Sequence, residues 1–187
     1  MKLSVYSPPD LARPTFREAT SKEFRETNVG ESFGPSWSTH WFKIELKVPS
    51  YLNDKELLEF HWDANNEGLI WSEDGEPLQG LTGGGERREW IFPKTWRDGK
   101  LHTFYVEMAC NRMFGNANGG DVIQPPNPDV YFQLYLADIV AINQEARALY
   151  IDFWIIGGEN PRISLCIIAK LSYRCCKRIS WRLMGIT

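Results

Sequence analysis

Hydrophobic and polar residues alternate along much of this chain, and the alternation predicts strands. Between positions 42 and 48 every second residue is apolar, while Lys43, Glu45 and Lys47 lie between them. A period of two places one face of a strand in a core and the other in water. Comparable runs bounded by Gly, Pro, Asn or Asp occur at 57–62, 68–71, 78–81, 87–92, 100–109 and 131–142. Short strands at such intervals predict an all-β protein with a β-sandwich or jelly roll.

The pattern changes to a helical one after residue 142. Asn143 can cap a helix, Glu145 suits its first turn, and the glycines at 157 and 158 can end it. The apolar residues recur at helical spacing: Ala146, Leu149, Tyr150, Phe153 and Trp154. We therefore predict a helix over 143–158 whose apolar stripe docks against another structure. We interpret the polar residues 1–32 as a lead-in segment that wraps the sandwich of residues 33–142.

Composition and charge narrow the possible partners. A chain of 187 residues has room for one good core, and a net charge of −3 argues against nucleic acid as a partner. No secretory signal or membrane-length apolar segment is visible. Residues 159–187 differ, because they hold six Lys or Arg against one acid and three of the four cysteines. The adjacent Cys175 and Cys176 suggest metal binding or lipidation, but we favour non-native sequence as the simpler account.

Three tryptophans, Trp37, Trp62 and Trp71, are candidate platforms for stacking on sugar rings. The alternative is that they pack in the core and between the sheets, which is the usual role of large aromatic side chains. We favour packing.

A hairpin signal at Asp74 and Gly75 is followed by further polar residues. Loops carry functional groups, so Asp74, Glu76 and Gln79 could hydrogen-bond sugar hydroxyls beside Trp71. The alternative is hairpin chemistry together with an interface to another domain, and we favour this second interpretation. The candidate site is thus a carbohydrate or domain-interface loop that includes all four residues.

Metal chemistry is weakly indicated. His61 and Asp63 flank Trp62 in a His-x-Asp arrangement, yet the chain has only three histidines and no pair at helical ligand spacing. Asp63 and Glu67 could help to hold a structural calcium ion, although two carboxylates are weak evidence for it. We assign no metal ligand.

Several unusual motifs occur together and in order. They are FGPSWSTHWF at 33–42, HWDAN at 61–65, WSEDGEPLQGLTGG at 71–84, EMACN at 107–111 and LYIDFW at 149–154. In this combination the chain resembles the N-terminal region of glycoside hydrolase family 38 α-mannosidases of the fungal vacuolar and cytosolic kind. The resemblance covers roughly residues 14–158.

The resemblance implies a galactose-binding-like β-sandwich placed before the catalytic domain of a retaining exo-mannosidase. In that family a metal ion, usually zinc, holds the terminal mannose, and two carboxyl groups act as nucleophile and acid. The family's metal motif lies beyond the region resembled here, so we expect no catalytic residue, no metal ligand and no cofactor in this chain. The expected partners are the catalytic domain or other subunits of the parent enzyme, and also mannose-containing oligosaccharides.

The resemblance stops abruptly after residue 158. We therefore predict that residues 159–187 are a non-native tail, as intron read-through or a frame change would produce, in a chain truncated before its catalytic domain. The expected location is the cytoplasm or the vacuole. The alternative to an inactive accessory or assembly domain is a free-standing carbohydrate-binding β-sandwich module.

Overall fold

The computed structural model describes residues 1–83, 87–111 and 125–157. The predicted tail at 159–187, glycines 84 and 85 of the predicted loop, and most of the loop predicted over 111–129 lie outside these residues. The chain divides into two compact units, Met1–Ala141 and Ile142–Thr187.

The first unit is built from eleven short strands. They are β1 Lys2–Tyr6, β2 Arg25–Glu26, β3 Ser32–Phe33, β4 Thr39–Leu46, β5 Leu57–Asp63, β6 Glu67–Ser72, β7 Pro77–Thr82, β8 Glu89–Ile91, β9 His102–Ala109, β10 Phe132–Gln133 and β11 Leu136–Ile142. A helix, α1 Phe16–Thr20, and 3-10 turns at Ser50–Leu52 and Lys94–Trp96 complete it. The described part of the second unit contains one helix, α2 Gln144–Gly157.

The strands form a larger sheet, a smaller sheet and a short ribbon. The larger sheet has the order β2-β1-β4-β9-β6-β7, the smaller sheet has the order β11-β5-β8, and β10 pairs with β3. Neighbours in the larger sheet are antiparallel throughout. This is the jelly-roll β-sandwich that the sequence predicts, and it is followed by a helix, also as predicted.

Alternation on the strands places the core between the two sheets. Phe42 on β4 meets Trp62 on β5 with ring centroids 4.8 Å apart, and Phe60 meets Phe104 on β9 at 5.0 Å. Trp90 on β8 lies 5.3 Å from Phe104. Edge-to-face pairs of this kind contribute beyond the apolar area that they bury. Trp62 is 2% exposed, so its ring is part of the core.

Strand β1 was not predicted from the sequence. It lies between β2 and β4, and its Leu3 and Val5 enter the core opposite Ile44 and Phe42. Two apolar residues in a five-residue run carry too little periodicity to be distinguished from a polar lead-in. Residues of the predicted lead-in thus supply strands of both the larger sheet and the ribbon.

The run predicted as one strand over 131–142 is two strands, because the chain changes partner within it. β10 pairs with β3, and the next residue, Leu134, donates its backbone N–H to the carbonyl of Glu31. Tyr135 then donates to the carbonyl of Asp63 at the end of β5. The strand switches sheets at this point, which sequence alternation cannot reveal.

Candidate functional site

The larger sheet turns one face towards the core and the other, the outer face, away from it. Antiparallel pairing places outward residues of neighbouring strands side by side. Ser4 lies opposite Lys43, Lys43 opposite Tyr105, and Tyr105 opposite Trp71. One row of side chains therefore crosses four strands, β1, β4, β9 and β6.

Residues 15–26, here called the arm, carry α1 and β2. The start of α1 is held by a capping box: Glu18 donates its backbone N–H to Thr15 Oγ1 at 3.4 Å, and the Thr15 N–H donates to Glu18 Oε2 at 2.8 Å. The hydrogen bonds that the backbone N–H and the hydroxyl of Thr15 donate to the carboxylate lower the pKa of Glu18 below its usual value. A helix of five residues is too short to be stable alone, so the cap and the contacts below hold it.

The aromatic ring of Phe16 anchors the arm to the outer face. Its centroid lies 5.3 Å from Tyr105, 5.6 Å from Trp71 and 5.9 Å from Trp41. Farther along the arm, Phe24 lies 6.1 Å from Tyr105. Isolated aromatic residues in a polar segment are the sequence signal for this arrangement.

Trp71 is engaged by its neighbours on this face. Its Nε1–H donates to Glu107 Oε2 at 3.1 Å, and its ring lies 5.8 Å from Trp41 as well as against Phe16. Burial raises the pKa of the Glu107 carboxyl, and the hydrogen bond from Trp71 offsets part of that effect. Trp71 is half-buried, with Phe16 against its ring.

Asp74 and Glu76 are exposed in the hairpin turn between β6 and β7. Ser72 organises this turn, since its Oγ accepts from the Glu76 N–H at 3.0 Å and its carbonyl accepts from the Gly75 N–H at 3.1 Å. Gly75 has a φ of +87°, and a Cβ there would come within 2.8 Å of the Phe16 ring. The turn is therefore in contact with the arm.

Gln79 does not join the other three predicted site residues. It lies opposite the core residue Ile70, and its side-chain amide donates to the carbonyl of Glu89 on β8. Gln79 thus links the larger sheet to the smaller one. The structure brings Trp71, Asp74 and Glu76 to one end of β6 and places Gln79 between the sheets.

A cleft of about 310 Å³ lies between the arm and the outer face. Its lining combines seven polar or charged side chains with two aromatic rings. The lining residues are Lys2, Ser4, Thr20, Lys22, Phe24, Glu26, Lys43, Glu45 and Tyr105. None of them was a candidate in the sequence, because the cleft forms only when β1, β4, β9 and the arm come together.

Several polar groups in the cleft are not used in hydrogen bonds, although Lys22 interacts electrostatically with Glu18. Among the residues that the structure describes, the side chains of Lys2, Lys22 and Glu26 and the hydroxyls of Ser4 and Tyr105 make no hydrogen bond. By contrast, Lys43 Nζ donates to Glu45 Oε1 at 3.0 Å. Burial raises the pKa of the Tyr105 hydroxyl, which therefore stays protonated and able to donate.

A buried histidine hydrogen-bonds to two serines elsewhere, of which Ser38 is buried and Ser7 is exposed. His40, only 4% exposed, places Nε2 2.9 Å from Ser38 Oγ and Nδ1 2.8 Å from Ser7 Oγ. Ser38 donates its proton to the carbonyl of Pro35, so its oxygen accepts from Nε2–H and Ser7 donates to Nδ1. Burial lowers the pKa of His40 to about 4. The neutral imidazole ties β1 to β4.

The side chains of His61 and Asp63, the His-x-Asp pair of the sequence, form hydrogen bonds with residues near them in the chain. His61 Nε2 lies 2.9 Å from Glu59 Oε2, and Asp63 Oδ1 accepts from the backbone N–H of Asn65 at 2.8 Å. Within the described ranges no three His, Cys, Asp or Glu side chains gather in a way that could hold a metal ion.

Helix α2 in the second unit carries many exposed apolar side chains. They are Leu149, Tyr150, Ile151, Phe153, Trp154 and Ile155, with Trp154 64% exposed. The helix has fourteen residues, and no helix in the part of the chain that the structure describes is long and apolar enough to cross a membrane. Clustered exposed apolar side chains are more typical of surfaces that another structure covers than of a free surface.

Comparison with known proteins gives these surfaces a context. The model of a family described as "Alpha-mannosidase, jelly roll domain" matches residues 1–140. An α-mannosidase of Saccharomyces cerevisiae is 48% identical over 138 residues, which cover 72% of this chain and 12% of that protein. α-Mannosidase 2C1 of Homo sapiens is 37% identical over 158 residues, covering 83% of this chain and 15% of that protein.

α-Mannosidase G of Dictyostelium discoideum is 39% identical over 163 residues, covering 84% of this chain and 15% of that protein. A match that covers 84% of the chain has to include α2, whichever end it begins from. The chain spans 12% to 15% of the length of these relatives. The chain belongs to the α-mannosidase jelly roll domain family.

Proposed function

We propose that this chain is the accessory and assembly domain of an α-mannosidase that hydrolyses terminal α-mannosyl residues of oligosaccharides. The support is the match of residues 1–140 to the jelly roll family and the small share of each relative that the chain covers. We expect the metal site and both carboxyl groups to lie in a separate catalytic domain, as the resemblance implies, and we propose no catalytic step for these residues.

The exposed apolar side chains of α2 are the observation on which this proposal rests. Burying one Leu, Ile or Phe side chain contributes about 1.5 to 3 kcal/mol. Four such side chains, together with one Tyr and one Trp, are exposed on the fourteen residues of this helix. Covering even half of this surface would contribute several kcal/mol to association. Since α2 lies within the segment matched by α-mannosidase G of D. discoideum, the proposed occupant is the remaining part of the α-mannosidase chain.

The proposal is tested by supplying the domain in trans. The D. discoideum α-mannosidase G lacking the segment that this chain matches, which includes the counterpart of α2, would be produced with and without the 187-residue chain. We expect the two to co-purify and hydrolysis of an aryl α-mannoside to rise, whereas the chain alone gives no turnover.

Variants on α2 sharpen the test. Phe153→Asp should abolish co-purification because it places a charge in the apolar surface, and Asp152→Ser, an exposed neighbour on the same helix, should leave co-purification unchanged. Turnover by the chain alone, or equal loss in both variants, would refute the proposal.

A free-standing carbohydrate-binding module is a second candidate function, and the cleft is the observation that favours it. Unpartnered donors and acceptors beside two aromatic rings are suited to a polyhydroxylated ligand. Calorimetric titration of the chain with mannose oligosaccharides separates the candidates, because heat at millimolar sugar requires a binding site in the chain itself.

A further inference from the structure

The cleft between the arm and the outer face has the size and depth of a small ligand site. Ligand sites usually range from about 300 to 1,000 Å³, so 310 Å³ is room for one sugar ring and not for a chain of them. Among its lining residues Ser4 is buried, only 6% exposed, while Lys22 and Glu26 on the arm are exposed.

The charges in the cleft favour a neutral ligand. Three lysines face two glutamates, and one lysine is already paired within the cleft, Lys43 with Glu45. An anion would be attracted to Lys2 and Lys22 but repelled by Glu26 and Glu45. A neutral ligand that both donates and accepts hydrogen bonds can use every one of these groups.

The unpartnered groups include both donors and acceptors. Lys2 and Lys22 donate, Glu26 accepts, and the hydroxyls of Ser4 and Tyr105 can do either. Each hydroxyl of a sugar is likewise both a donor and an acceptor.

Two half-buried rings provide an apolar wall. Phe24 and Tyr105 lie 6.1 Å apart with their planes inclined by 55°. The C–H groups of a pyranose ring offer an apolar surface that can pack on such rings.

We propose that this cleft binds a single neutral hexopyranose unit, with Tyr105 and Phe24 packing on the ring and Lys22, Glu26 and the hydroxyls of Ser4 and Tyr105 contacting its hydroxyls. The inference deepens the carbohydrate-binding candidate above and rests on it. The assembly role of α2 is independent of it. It also differs from the loop predicted from the sequence, because Phe16 packs on Trp71 and Gln79 lies between the sheets.

The probes for the test are methyl α-mannopyranoside, methyl β-galactopyranoside and inorganic phosphate, titrated into the 187-residue chain and followed by amide chemical shifts. A methyl hexopyranoside has about thirteen non-hydrogen atoms, and the efficiency of ordinary ligands then gives a Kd on the order of 1 mM. We expect at least one of the two sugars to shift resonances of the arm and of β1, β4 and β9.

Three variants locate the site. Tyr105→Phe keeps the ring and removes the hydroxyl, which should weaken binding about fivefold. Lys22→Met should weaken it about tenfold, because a hydrogen bond from a charged group is lost. Lys94→Met, an exposed lysine in a 3-10 turn outside the cleft, is the matched control and should bind as the unaltered chain does.

The titrations distinguish a sugar site from an anion site and from the absence of a site in the cleft. Saturation by phosphate but not by either sugar would make the cleft an anion site and overturn the proposal, as would sugar-induced shifts confined to other surfaces. No shift at tens of millimolar sugar, or equal weakening by Lys22→Met and Lys94→Met, would overturn it as well. Lys22→Met should leave co-purification with the truncated D. discoideum enzyme unchanged, so a failed sugar titration does not count against the assembly role.

Discussion

Replacement of Phe16 by alanine tests how much of the docking of the arm on the outer face depends on this one aromatic ring. Phe16 is half-buried and meets Tyr105, Trp71 and Trp41 at centroid distances of 5.3 to 5.9 Å. α1 has only five residues, so it depends on these contacts and on its cap. Phe16→Ala removes the contacts and leaves the cap in place.

The expected loss of stability follows from the burial of the Phe16 ring and from its pairs with other aromatic rings. Truncating a fully buried Phe costs about 3 to 5 kcal/mol, and a half-buried ring loses roughly half of that. Aromatic pairs contribute about 0.5 to 1.5 kcal/mol each, but the three pairs share one ring and do not add fully. We expect the free energy of unfolding to fall by about 2 to 3 kcal/mol. The loss cannot exceed the free energy by which the docked arm stabilises the fold.

Urea unfolding of the 187-residue chain, followed by tryptophan emission, measures this change. With an m-value of about 2 kcal/mol/M, the midpoint should fall by about 1 to 1.5 M urea. The control is Arg17→Ala, an exposed neighbour on the same helix, which should move the midpoint very little. If Phe16→Ala unfolds at the same urea concentration as Arg17→Ala, the arm is not anchored through this ring.

Three further predictions concern the described side chains. The pKa of His40 in the folded chain, about 4, lies below its ordinary 6.5, so the unfolded chain binds more protons between these pH values. The free energy of unfolding should therefore fall by about 3 kcal/mol from this group as the pH drops from 6.5 to 4. An NMR titration of this imidazole with a midpoint near pH 6.5 would contradict the prediction. Gly75→Ala should lower the free energy of unfolding, measured in urea, by about 2 to 4 kcal/mol, because this position combines a positive φ with a Cβ that would lie 2.8 Å from the Phe16 ring. The control Gly99→Ala, at φ +72° with open space around it, should lower it by only about 1 kcal/mol. Glu107→Gln should leave the free energy of unfolding at pH 7 unchanged or raise it by up to about 1 kcal/mol, because burial makes ionisation of this carboxyl unfavourable and the amide oxygen can still accept from Trp71. A loss above about 1 kcal/mol in urea unfolding would show that the charge is stabilising.

Local patterns in the sequence were sufficient for the central strands. The alternation over 42–48 corresponds to β4 Thr39–Leu46, and the run over 100–109 to β9 His102–Ala109. The turn signal at Asp74 and Gly75 lies between β6 and β7, where the structure has a hairpin. These features depend on residues adjacent in the chain, so their physical cause is present in the sequence itself.

The candidate site was predictable only in part. Trp71, Asp74 and Glu76 do lie at one end of β6, as their spacing in a hairpin requires. The interior position of Gln79 was missed because a polar side chain in a turn-proximal segment was assigned to the loop, whereas pairing places it opposite the buried Ile70 and on the same face as the buried Leu81. The function of these four residues as a carbohydrate or interface loop stays a prediction.

The sequence by itself determined the family, the β-sandwich class, most strands and the apolar helix after them, since period-two alternation, turn chemistry and helical spacing are local properties. Only the tertiary structure decided that β1 lies beside β4, that Phe16 covers Trp71, and that a cleft opens at Tyr105. Ser4, Lys43 and Tyr105 become neighbours through strand pairing between distant parts of the chain. That pairing is selected by burial of the whole core, and no short window of sequence contains it.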